Sequence, residues 1–349
     1  MHIKSFKYKQ HSWELDSIYF NLLNLIVGKN AVGKSKTLKA LLEVAKFIKG
    51  ESANDASAHK CCMVFADADG KELQYSYEWS GNAVIAESMS FDNRMVISRD
   101  KNQAVLNEDT INPPVNKLII QTQRDTNKFP EFETVIGWAE HTRVFSFSDL
   151  TSFNSFIIPN MYTESIEFDD VYERIDDNKE TFVLNTMREL GYKISGITKL
   201  ELTPHKIIYL NEEGVTASLF PHSLSNGMVR VFYILTYLAY IAMVEGAKTF
   251  LVDDLGEGLD FSRSSKLSKI MFDYCESNDI QLIVTSNDNF LMNAVDLNNW
   301  IILQRKGNKV TSYSQITHSD MFIKFRKMGL NNFDMLSTDF VDRFISDAK

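Results

Sequence analysis

The sequence predicts an α/β protein with a mostly parallel core sheet, an antiparallel β lobe and a helical or mixed insert. Three observations support this fold class. An apolar run, Leu22–Val27, leads into a glycine-rich turn and then a helix pattern. Strand and helix patterns alternate from Thr249 onward, and short β-rich stretches broken by turns fill residues 61–100. Alternating strands and helices are typical of a parallel sheet covered by helices.

The composition is that of an ordinary globular protein with one large domain or two modest ones. The chain has 349 residues, of which 44% are hydrophobic and 24% charged. Its net charge of −9 disfavours broad, sequence-independent binding to nucleic acid. Three cysteines form neither a zinc nor a disulfide pattern, and the N-terminus lacks a signal-peptide pattern. Residues 231–244 are too few to span a bilayer, so we expect a cytoplasmic protein without a membrane partner.

The first half of the chain is assigned by its apolar periodicity. Partial alternation over Ile3–Val27 predicts two strands before the glycine-rich turn. Apolar spacing of three and four residues predicts a helix over Lys36–Lys49, ended by Gly50. Turns of the Asp-Gly and Ser-Gly-Asn type predict an antiparallel lobe over Cys61–Asp100. We expect residues 102–114 to form a loop and residues 117–123 a further strand.

The second half is predicted to return to the core sheet. We expect a helix over Thr181–Leu190 capped by Gly191, and a hairpin within Ile194–Phe220 whose turn is residues 211–214. The acidic residues between Glu164 and Asp177 are expected to form a solvated face, with a basic partner surface as the alternative. A strand at 249–252, a helix at 262–276 and a strand at 281–285 follow.

The glycine-rich turn matches the phosphate-binding loop G-x-x-x-x-G-K-[S/T], which indicates a nucleoside triphosphate site. Glycines let backbone N–H groups converge on phosphate at a helix N-terminus. We expect Lys34 to reach the outer phosphates and the Ser35 hydroxyl to ligate Mg²⁺. The predicted ATP-binding residues of this phosphate loop are Gly28, Lys29, Asn30, Ala31, Val32, Gly33, Lys34, Ser35 and Lys36.

A second element of such sites is the apolar strand Phe250–Val252, which ends in Asp253 and Asp254. This is the form of a Walker B element, in which Asp253 would hold Mg²⁺ through water, opposite Ser35. An apolar strand that ends in two carboxylates is common by chance. Its combination with a phosphate loop is what favours a magnesium–ATP site.

The segment Leu224-Ser225-Asn226-Gly227 resembles the Leu-Ser-Gly-Gly signature of the ATP-binding-cassette (ABC) superfamily. By itself it is an ordinary turn and helix cap. Ser225 and Gly227 offer a hydroxyl and backbone N–H groups at a helix N-terminus, where the helix dipole favours a γ-phosphate. In that superfamily the phosphate belongs to the other subunit, so the resemblance implies a homodimer or higher homo-oligomer that binds ATP between its subunits.

The order of the motifs strengthens this resemblance, with two departures from the usual pattern. Residues 256–260 resemble the D-loop, which crosses the dimer interface, and residues 284–288 occupy the place of the switch loop. Asp254 stands where most relatives have a glutamate general base, with Glu257 as a substitute candidate. Asn287 stands where the switch histidine is expected; its amide can donate to a γ-phosphate but carries no charge. Asp254, Asn287 and Lys34 are therefore the predicted catalytic residues, with slow turnover.

Two further features of the superfamily stay open. Gln121 and Gln123 are candidates for its Q-loop glutamine, and a polar strand end is the alternative. The adenine-stacking aromatic residue could be Trp13, Tyr19 or Phe20, which could instead fill the core beneath the sheet.

The long middle of the chain resembles soluble ATPases of the AAA-15/AAA-21 type, relatives of the RecF, Rad50 and overcoming-lysogenization-defect ATPases. On this basis residues 1–50 and 221–315 form the nucleotide-binding core, 60–124 the β lobe, 125–220 the insert and 316–349 the C-terminal tail of one ATPase domain. The resemblance implies an ATP-dependent switch that controls a separately encoded nuclease or toxin in prokaryotic antiphage defence.

Two other functions are compatible with parts of the sequence. One is a DNA-repair or recombination clamp, which would need a basic surface such as Lys324, Arg326 and Lys327. Nucleic acid is therefore a conceivable partner, although the acidic net charge argues against it. The other is an AAA+ remodeller with Asn287 as a sensor, which would leave the Leu-Ser-Asn-Gly segment unexplained. The scattered histidines show no metal-ligand spacing.

Overall fold

The computed structural model describes residues 1–51, 57–67, 69–101, 103–145, 168–202, 205–215 and 225–347. Two groups of sequence predictions fall outside these ranges: those for the acidic Glu164 and Glu167, and those for the signature residues Ser223 and Leu224. The exposed Glu173, which lies within the ranges, agrees with a solvated acidic face.

The described residues form both strands and helices. The strands are β1 (His2–Gln10), β2 (Trp13–Tyr19), β3 (Leu23–Val27), β4 (His59–Ala66), β5 (Glu72–Ser80), β6 (Ala83–Phe91), β7 (Arg94–Arg99), β8 (Ala104–Leu106), β9 (Asp109–Ile111), β10 (Thr142–Phe145), β11 (Ile194–Leu202), β12 (His205–Glu212), β13 (Thr249–Val252), β14 (Gln281–Thr285), β15 (Trp300–Lys306) and β16 (Lys309–Ser314). The helices are α1 (Lys34–Lys49), α2 (Ile119–Thr122), α3 (Pro130–His141), α4 (Phe168–Arg174), α5 (Asp177–Glu189), α6 (Asn226–Met243), α7 (Phe261–Ser277), α8 (Asn289–Ala294), α9 (Ser319–Arg326), α10 (Asp334–Ser337) and α11 (Phe340–Asp347).

Within the described ranges, one large sheet joins the core to the β lobe. Its strand order is β10-β13-β14-β3-β15-β16-β2-β1-β4-β5-β6-β7-β8-β9. The strands from β10 to β15 in this order pair in parallel, whereas those from β2 to β9 pair antiparallel. The predicted parallel core and antiparallel lobe are both confirmed.

Both faces of the parallel core are covered, which explains its uninterrupted apolar strands. In β14, Leu282 and Val284 belong to one hydrophobic cluster, together with residues of α5, α6 and α7. Ile283, between them, belongs to a second cluster with residues of α1, α3 and the β lobe. Successive strand residues point to opposite faces, so every side chain of such a strand is buried.

Two predicted elements before α3 were wrong. Residues 117–123 were expected to form a strand but contain α2, a short helix. Leu118, Ile119 and Ile120 are all fully buried, and a short run of buried apolar residues does not distinguish a strand from a helix. Residues 102–114 were expected to form a loop but contain the strands β8 and β9. Strands of three residues are too short to show alternation in the sequence.

Three further assignments differ from the sequence predictions. The hairpin turn was expected at residues 211–214. Strands β11 and β12 instead pair up to Leu202 and His205, so these two residues flank the turn of the hairpin. Strand β10 lies inside the range assigned to the insert, yet it pairs in parallel with β13 of the core sheet. Helix α5 starts four residues before the predicted Thr181, because Asp176 caps it by accepting from the Lys179 amide.

Helix α6 is a long apolar helix with one charged residue, Arg230. By length and composition it could cross a membrane, but 78% of it is buried inside the protein. It packs among the core residues on one face of the sheet, as predicted for a buried helix. The functional consequence is that the N-terminus of α6, which carries the signature residues, is fixed by the core.

The β lobe contains a fully buried carboxylate, Glu87 on β6. Its oxygens accept hydrogen bonds from the Ile119 amide at 2.7 Å and the Tyr75 hydroxyl at 3.0 Å, and Arg99 lies 4.0 Å away. Burial is the largest effect and raises the pKa of Glu87 to about 7, against the opposing hydrogen bonds and Arg99. Glu87 thereby ties α2 to the lobe.

The raised pKa of Glu87 predicts a pH dependence of stability. Between its ordinary pKa near 4.5 and about 7, the folded state binds the proton more tightly than the unfolded state, so the free energy of unfolding decreases as pH rises through about 7. From pH 6 to pH 8, the parent should lose about 1 kcal/mol relative to Glu87→Gln, which does not titrate. Urea unfolding at both pH values measures this difference. Equal changes in the two proteins would contradict the assignment.

Candidate functional site

The phosphate loop, Gly28–Ser35, lies between β3 and α1 at the carboxyl edge of the parallel strands. Gly28 has a φ of 154°, and a Cβ there would lie 2.7 Å from the carbonyl oxygen of Leu303. Gly33 has a φ of 117° and directly precedes α1. Side-chain-bearing residues rarely adopt such conformations. The two glycines therefore let the backbone curl around the N-terminus of α1, where N–H groups converge.

Lys34 lies inside this loop and faces the carboxylates of the next motif. Its ammonium donates to the carbonyl oxygens of Gly28 at 2.8 Å and Lys29 at 3.4 Å. Burial lowers the pKa of Lys34, while the charges of Asp254 and Asp253 oppose this shift. The phosphate loop and the acidic end of β13 thus influence each other electrostatically.

The strand register explains how Asp253 is held. In β13 and β14, Val252 pairs with Val284, so the following residues, Asp253 and Thr285, are also neighbours. The Thr285 hydroxyl donates to Asp253 Oδ1 at 2.6 Å and accepts from the Asp254 amide at 2.8 Å. One hydroxyl therefore orients both acidic residues.

Asp254 has a left-handed backbone conformation, and its side chain contacts Asn287. Its φ of 50° lies in the left-handed region, which aspartate tolerates better than most residues. Asn287 Nδ2 lies 3.3 Å from Asp254 Oδ1. Burial is the largest effect that raises the pKa of Asp254; Asp253 and Glu257 add to it, whereas Lys34 and Arg230 oppose it. The predicted base and the predicted switch residue are thus in contact.

The oxygen donors at this edge fit a magnesium ion. Ser35 and Asp253 supply a hydroxyl and a carboxylate, which are hard ligands of the kind Mg²⁺ prefers. Asp253 Oδ1 accepts from Thr285, and its second oxygen can face the ion or its water. Among the residues that the structure describes, no group of three or more His, Cys, Asp or Glu could hold a metal. Mg²⁺ in nucleotide sites commonly uses one or two protein ligands with phosphate and water.

The signature residues begin α6. Ser225 is its N-cap, with the Ser225 hydroxyl accepting from the Met228 amide at 3.2 Å. Ser225 and Asn226 are exposed, while Gly227 is buried. A Cβ at Gly227 would lie 2.7 Å from the carbonyl oxygen of Gly258. The glycine therefore lets the signature helix contact the D-loop, residues 256–260, of the same chain.

The D-loop packs against the switch loop, residues 284–288. Gly256 has a φ of 102°, and a Cβ there would lie 2.6 Å from Ser264 Oγ and 3.0 Å from Asp288 Oδ2. Ser264 Oγ in turn donates to Asp288 at 2.7 Å. Glu257, the substitute base candidate, is 61% exposed at its side chain and lies 3.4 Å from Arg230. The loops that follow β13 and β14 thus form one packed unit.

Sequence reasoning missed two residues of this unit, Thr285 and Arg230. Arg230 is fully buried and donates to the carbonyl oxygens of Asp253 at 2.8 Å and Asp254 at 2.5 Å. A single charged residue within the apolar Met228–Met243 segment was the available signal for Arg230. Thr285 could be found only once the parallel register placed it beside Asp253.

Lys29 of the phosphate loop contacts the C-terminal tail. Its ammonium lies 2.8 Å from Asp339 and 3.0 Å from Asp342. Gln304 Nε2 also donates to Asp342 at 2.6 Å, and a cleft of about 220 Å³ separates the loop from α10 and α11. The tail therefore covers one side of the phosphate loop, which the sequence did not predict.

A second cleft, of about 390 Å³, opens on the other side of the loop beside Ser35 and Lys36. Volumes of this order suit small-molecule ligands. Of the three aromatic candidates, Trp13 borders the loop: its ring lies 3.6 Å from a Cβ built at Gly33 and 4.6 Å from the Lys36 ammonium. Phe20 and most of Trp13 are buried in the hydrophobic cluster that also contains residues of α1, α3 and the β lobe. Stacking of Tyr19 or the others on adenine remains a hypothesis.

The Q-loop hypothesis for Gln121 was wrong. Its amide nitrogen donates to the carbonyl oxygens of Phe47 at 2.8 Å and Ile48 at 3.0 Å, at the C-terminal end of α1. A 16-residue helix rises by about 24 Å, so this side chain caps the end of α1 that is remote from the phosphate loop. Gln123 is exposed two residues further on.

Comparison with known proteins gives a family and a fold for this chain. The family model described as "AAA domain, putative AbiEii toxin, Type IV TA system" matches residues 90–293, more than half of the chain. The match begins after the phosphate loop and includes Ser225, Asp253, Asp254 and Asn287. No curated protein matches the sequence significantly.

Three solved structures are similar to this chain at low sequence identity. An Smc head bound to the C-winged helix domain of ScpA is 13% identical, with a TM-score of 0.56 over 90% of this chain and 98% of that one. The SMC head domain from Thermotoga maritima is 14% identical, with a TM-score of 0.49 over 90% and 99%. An Smc head domain with an extended coiled coil, bound to the C-terminal domain of ScpA derived from Pyrococcus furiosus, is 12% identical, with a TM-score of 0.49 over 93% and 99%.

The double role of the Thr285 hydroxyl gives a direct prediction. Thr285→Val leaves a buried carboxylate oxygen and the Asp254 amide without this partner, at a cost of about 1–3 kcal/mol. We expect lower stability in urea and weaker Mg²⁺-dependent ATP binding. Thr285→Ser retains the hydroxyl and should behave like the parent. Parent-like values for the valine variant in both measurements would exclude the proposed role.

Proposed function

The chain belongs to the AAA-21 family of ABC-superfamily P-loop ATPases, and from this premise we propose that it is a dimeric ATP-dependent switch with slow hydrolysis. The observation that carries the proposal is the parallel register of β3, β14 and β13, which places the phosphate loop with Lys34 and the acidic residues Asp253 and Asp254 at one edge of the sheet. In this arrangement the phosphate loop binds ATP, Ser35 and Asp253 hold Mg²⁺, and Asp254 activates the attacking water.

The position of Ser225 supports a site that two subunits complete. Ser225 and Asn226 are exposed at the N-terminus of the 18-residue helix α6. Such a terminus attracts anions through its free N–H groups and dipole. A second copy that brings its own phosphate loop to this terminus would place the γ-phosphate there. Both copies would then contribute half of each of two equal sites.

An exposed aromatic pair beside the site supports the same contact. Phe261 and Phe290 are 59% and 46% exposed, and their ring centroids lie 4.5 Å apart. Phe261 directly follows Asp260 of the D-loop, and Phe290 lies two residues after the helix cap Asp288. Large aromatic side chains are enriched at protein interfaces. We assign this pair to the rim of the ATP-dependent dimer.

The chemistry favours slow hydrolysis. An Asp254 carboxylate reaches one methylene less far than a glutamate, and a general base works within about 2.6–3.2 Å of its proton or through a water. Asn287 can donate a hydrogen bond to the γ-phosphate but supplies no positive charge. ATP bound between the subunits would therefore persist as a signal for longer than in a fast ATPase.

The family description supports an effector-linked role in prokaryotic defence. It names a putative AbiEii toxin and a Type IV TA system. We propose that the ATP-bound dimer holds or releases a separately encoded nuclease or toxin in the cytoplasm. The experiment is co-expression with the product of the adjacent reading frame, followed by affinity purification with and without ATP. Complex formation should depend on ATP and fail for Lys34→Ala; ATP-independent behaviour would count against the switch.

The alternative of a DNA clamp receives less support. Arg326 already bonds to Asn298 and lies 3.6 Å from Asp296, and Lys324 lies over the Phe344 ring. Two of the three tail cations are therefore engaged within the chain. The net charge of −9 also opposes binding to phosphate backbones.

A charge at the helix terminus should control dimer formation. Aspartate and asparagine both cap helices as well as serine, but only aspartate places a negative charge beside the γ-phosphate. We expect Ser225→Asp to remain monomeric with a non-hydrolysable ATP analogue, while Ser225→Asn dimerises like the parent. Light scattering after size-exclusion chromatography separates the two. ATP-dependent dimerisation of the aspartate variant would argue against a shared site.

The role of Asp254 as base predicts a trapped state. Asp254→Asn keeps the size and the tolerance for a positive φ but removes the basic oxygen. Hydrolysis should fall at least about 100-fold, in line with the usual contribution of a general base, while the ATP-bound dimer accumulates. Glu257→Gln is the matched control and should retain most activity. If the asparagine variant turns over like the parent and the glutamine variant does not, Glu257 is the base.

A further inference from the structure

Arg230 lies on α6, and its charged side chain is completely buried in the protein. An unpaired charge in such a place would strongly destabilise the fold. Burial lowers the pKa of Arg230 to about 10, against the opposing charges of Glu257, Asp254 and Asp253. The guanidinium therefore remains charged at neutral pH inside a largely apolar helix. Hydrogen bonds must compensate for this burial.

Three contacts of the guanidinium converge on the end of β13. Arg230 Nη2 donates to the carbonyl oxygens of Asp253 at 2.8 Å and Asp254 at 2.5 Å, and Nη1 lies 3.4 Å from Glu257 Oε2. The guanidinium carbon of Arg230, Cζ, also lies 5.8 Å from the centre of the Phe145 ring. Phe145 is the last residue of β10, and its carbonyl accepts from the Asp253 amide at 2.8 Å. Arg230 thus contacts the backbone that presents both acidic side chains.

This backbone needs external support. Asp254 has a φ of 50°, a conformation that persists when its surroundings determine it. Three hydrogen bonds do so: the amide donates to Thr285 Oγ1 at 2.8 Å, and the carbonyl accepts from Arg230 at 2.5 Å and from the Glu257 amide at 3.1 Å. The first and third of these involve Thr285 at the end of β14 and Glu257 in the D-loop. The second comes from the signature helix, α6.

We propose that Arg230 is a positioning residue that holds Asp254 in its working geometry and links it to the helix that begins at Ser225. The inference rests on the proposed function, because it makes Asp254 the base and Ser225 the partner-facing contact. Gly227 touches the D-loop at Gly258 one turn earlier on the same helix. A shift of α6 on engagement of the partner's nucleotide is therefore transmitted to the backbone of Asp254.

Single-turnover hydrolysis separates positioning from binding. Arg230→Met should bind ATP and form the ATP-dependent dimer like the parent, but hydrolyse the bound ATP at least tenfold more slowly. Arg230→Lys, which keeps one cationic donor, should recover part of the rate. The exposed Glu257→Gln, which removes only the longest contact, should change the rate less than Arg230→Met. Hydrolysis by Arg230→Met at the parent rate would overturn the proposal. The proposal would also fail if Arg230→Met lost ATP binding, dimer formation and hydrolysis to the same extent and Arg230→Lys recovered none of them.

Backbone hydrogen exchange tests the same inference without relying on catalysis. Peptides that cover residues 253–257 should exchange faster in Arg230→Met than in the parent, with intermediate exchange in Arg230→Lys. Unchanged exchange there would contradict a positioning role. If the parent itself neither dimerises nor hydrolyses ATP, the proposed function fails, whereas exchange still decides whether Arg230 fixes Asp254. Should the methionine variant not fold, the comparison of parent, lysine variant and Glu257→Gln retains both readouts.

Discussion

The site depends on the parallel alignment of β3, β14 and β13. Because their carboxyl ends lie at one edge of the sheet, Lys34 at the start of α1 faces Asp253 and Asp254, more than two hundred residues away in the chain. Both faces of these strands are buried, which leaves the strand ends as the place where charged groups can meet a ligand. The opposite charges of Lys34 and the two carboxylates also balance one another in a partly buried setting.

Around this edge, a few polar side chains inside the apolar framework fix the acidic residues. Thr285 joins the ends of β13 and β14 through one hydroxyl, and Arg230 joins them to α6. Hydrogen bonds therefore connect the signature helix directly to the acidic pair. In the proposed dimer, this connection would let ATP at one site affect the proposed base of the other.

The parts of the site that could be predicted from the sequence are those formed by short, contiguous motifs. The phosphate loop, the acidic strand end, the fold class and most core elements follow from spacing and apolar periodicity, since each pattern lies within one short segment. Thr285 and Arg230 act across elements, so their roles depend on strand register and helix packing that no local pattern contains. Gln121 and α2 were misassigned for a related reason: three consecutive buried apolar residues fit a strand as well as a helix turn. The contact of Lys29 with Asp339 and Asp342 likewise joins segments that are distant in sequence.

The central claim is that one ATP site is built from two subunits, and mixing two defective variants tests it most directly. Lys34→Ala lacks a functional phosphate loop, and Ser225→Asp lacks a functional signature; each alone should stay monomeric with a non-hydrolysable ATP analogue. In a mixed dimer, the intact loop of one and the intact signature of the other still form one complete site. The account predicts that native mass spectrometry detects the mixed dimer only when both variants and the analogue are present. If mixing produces no dimer while the parent dimerises under the same conditions, the shared site is contradicted.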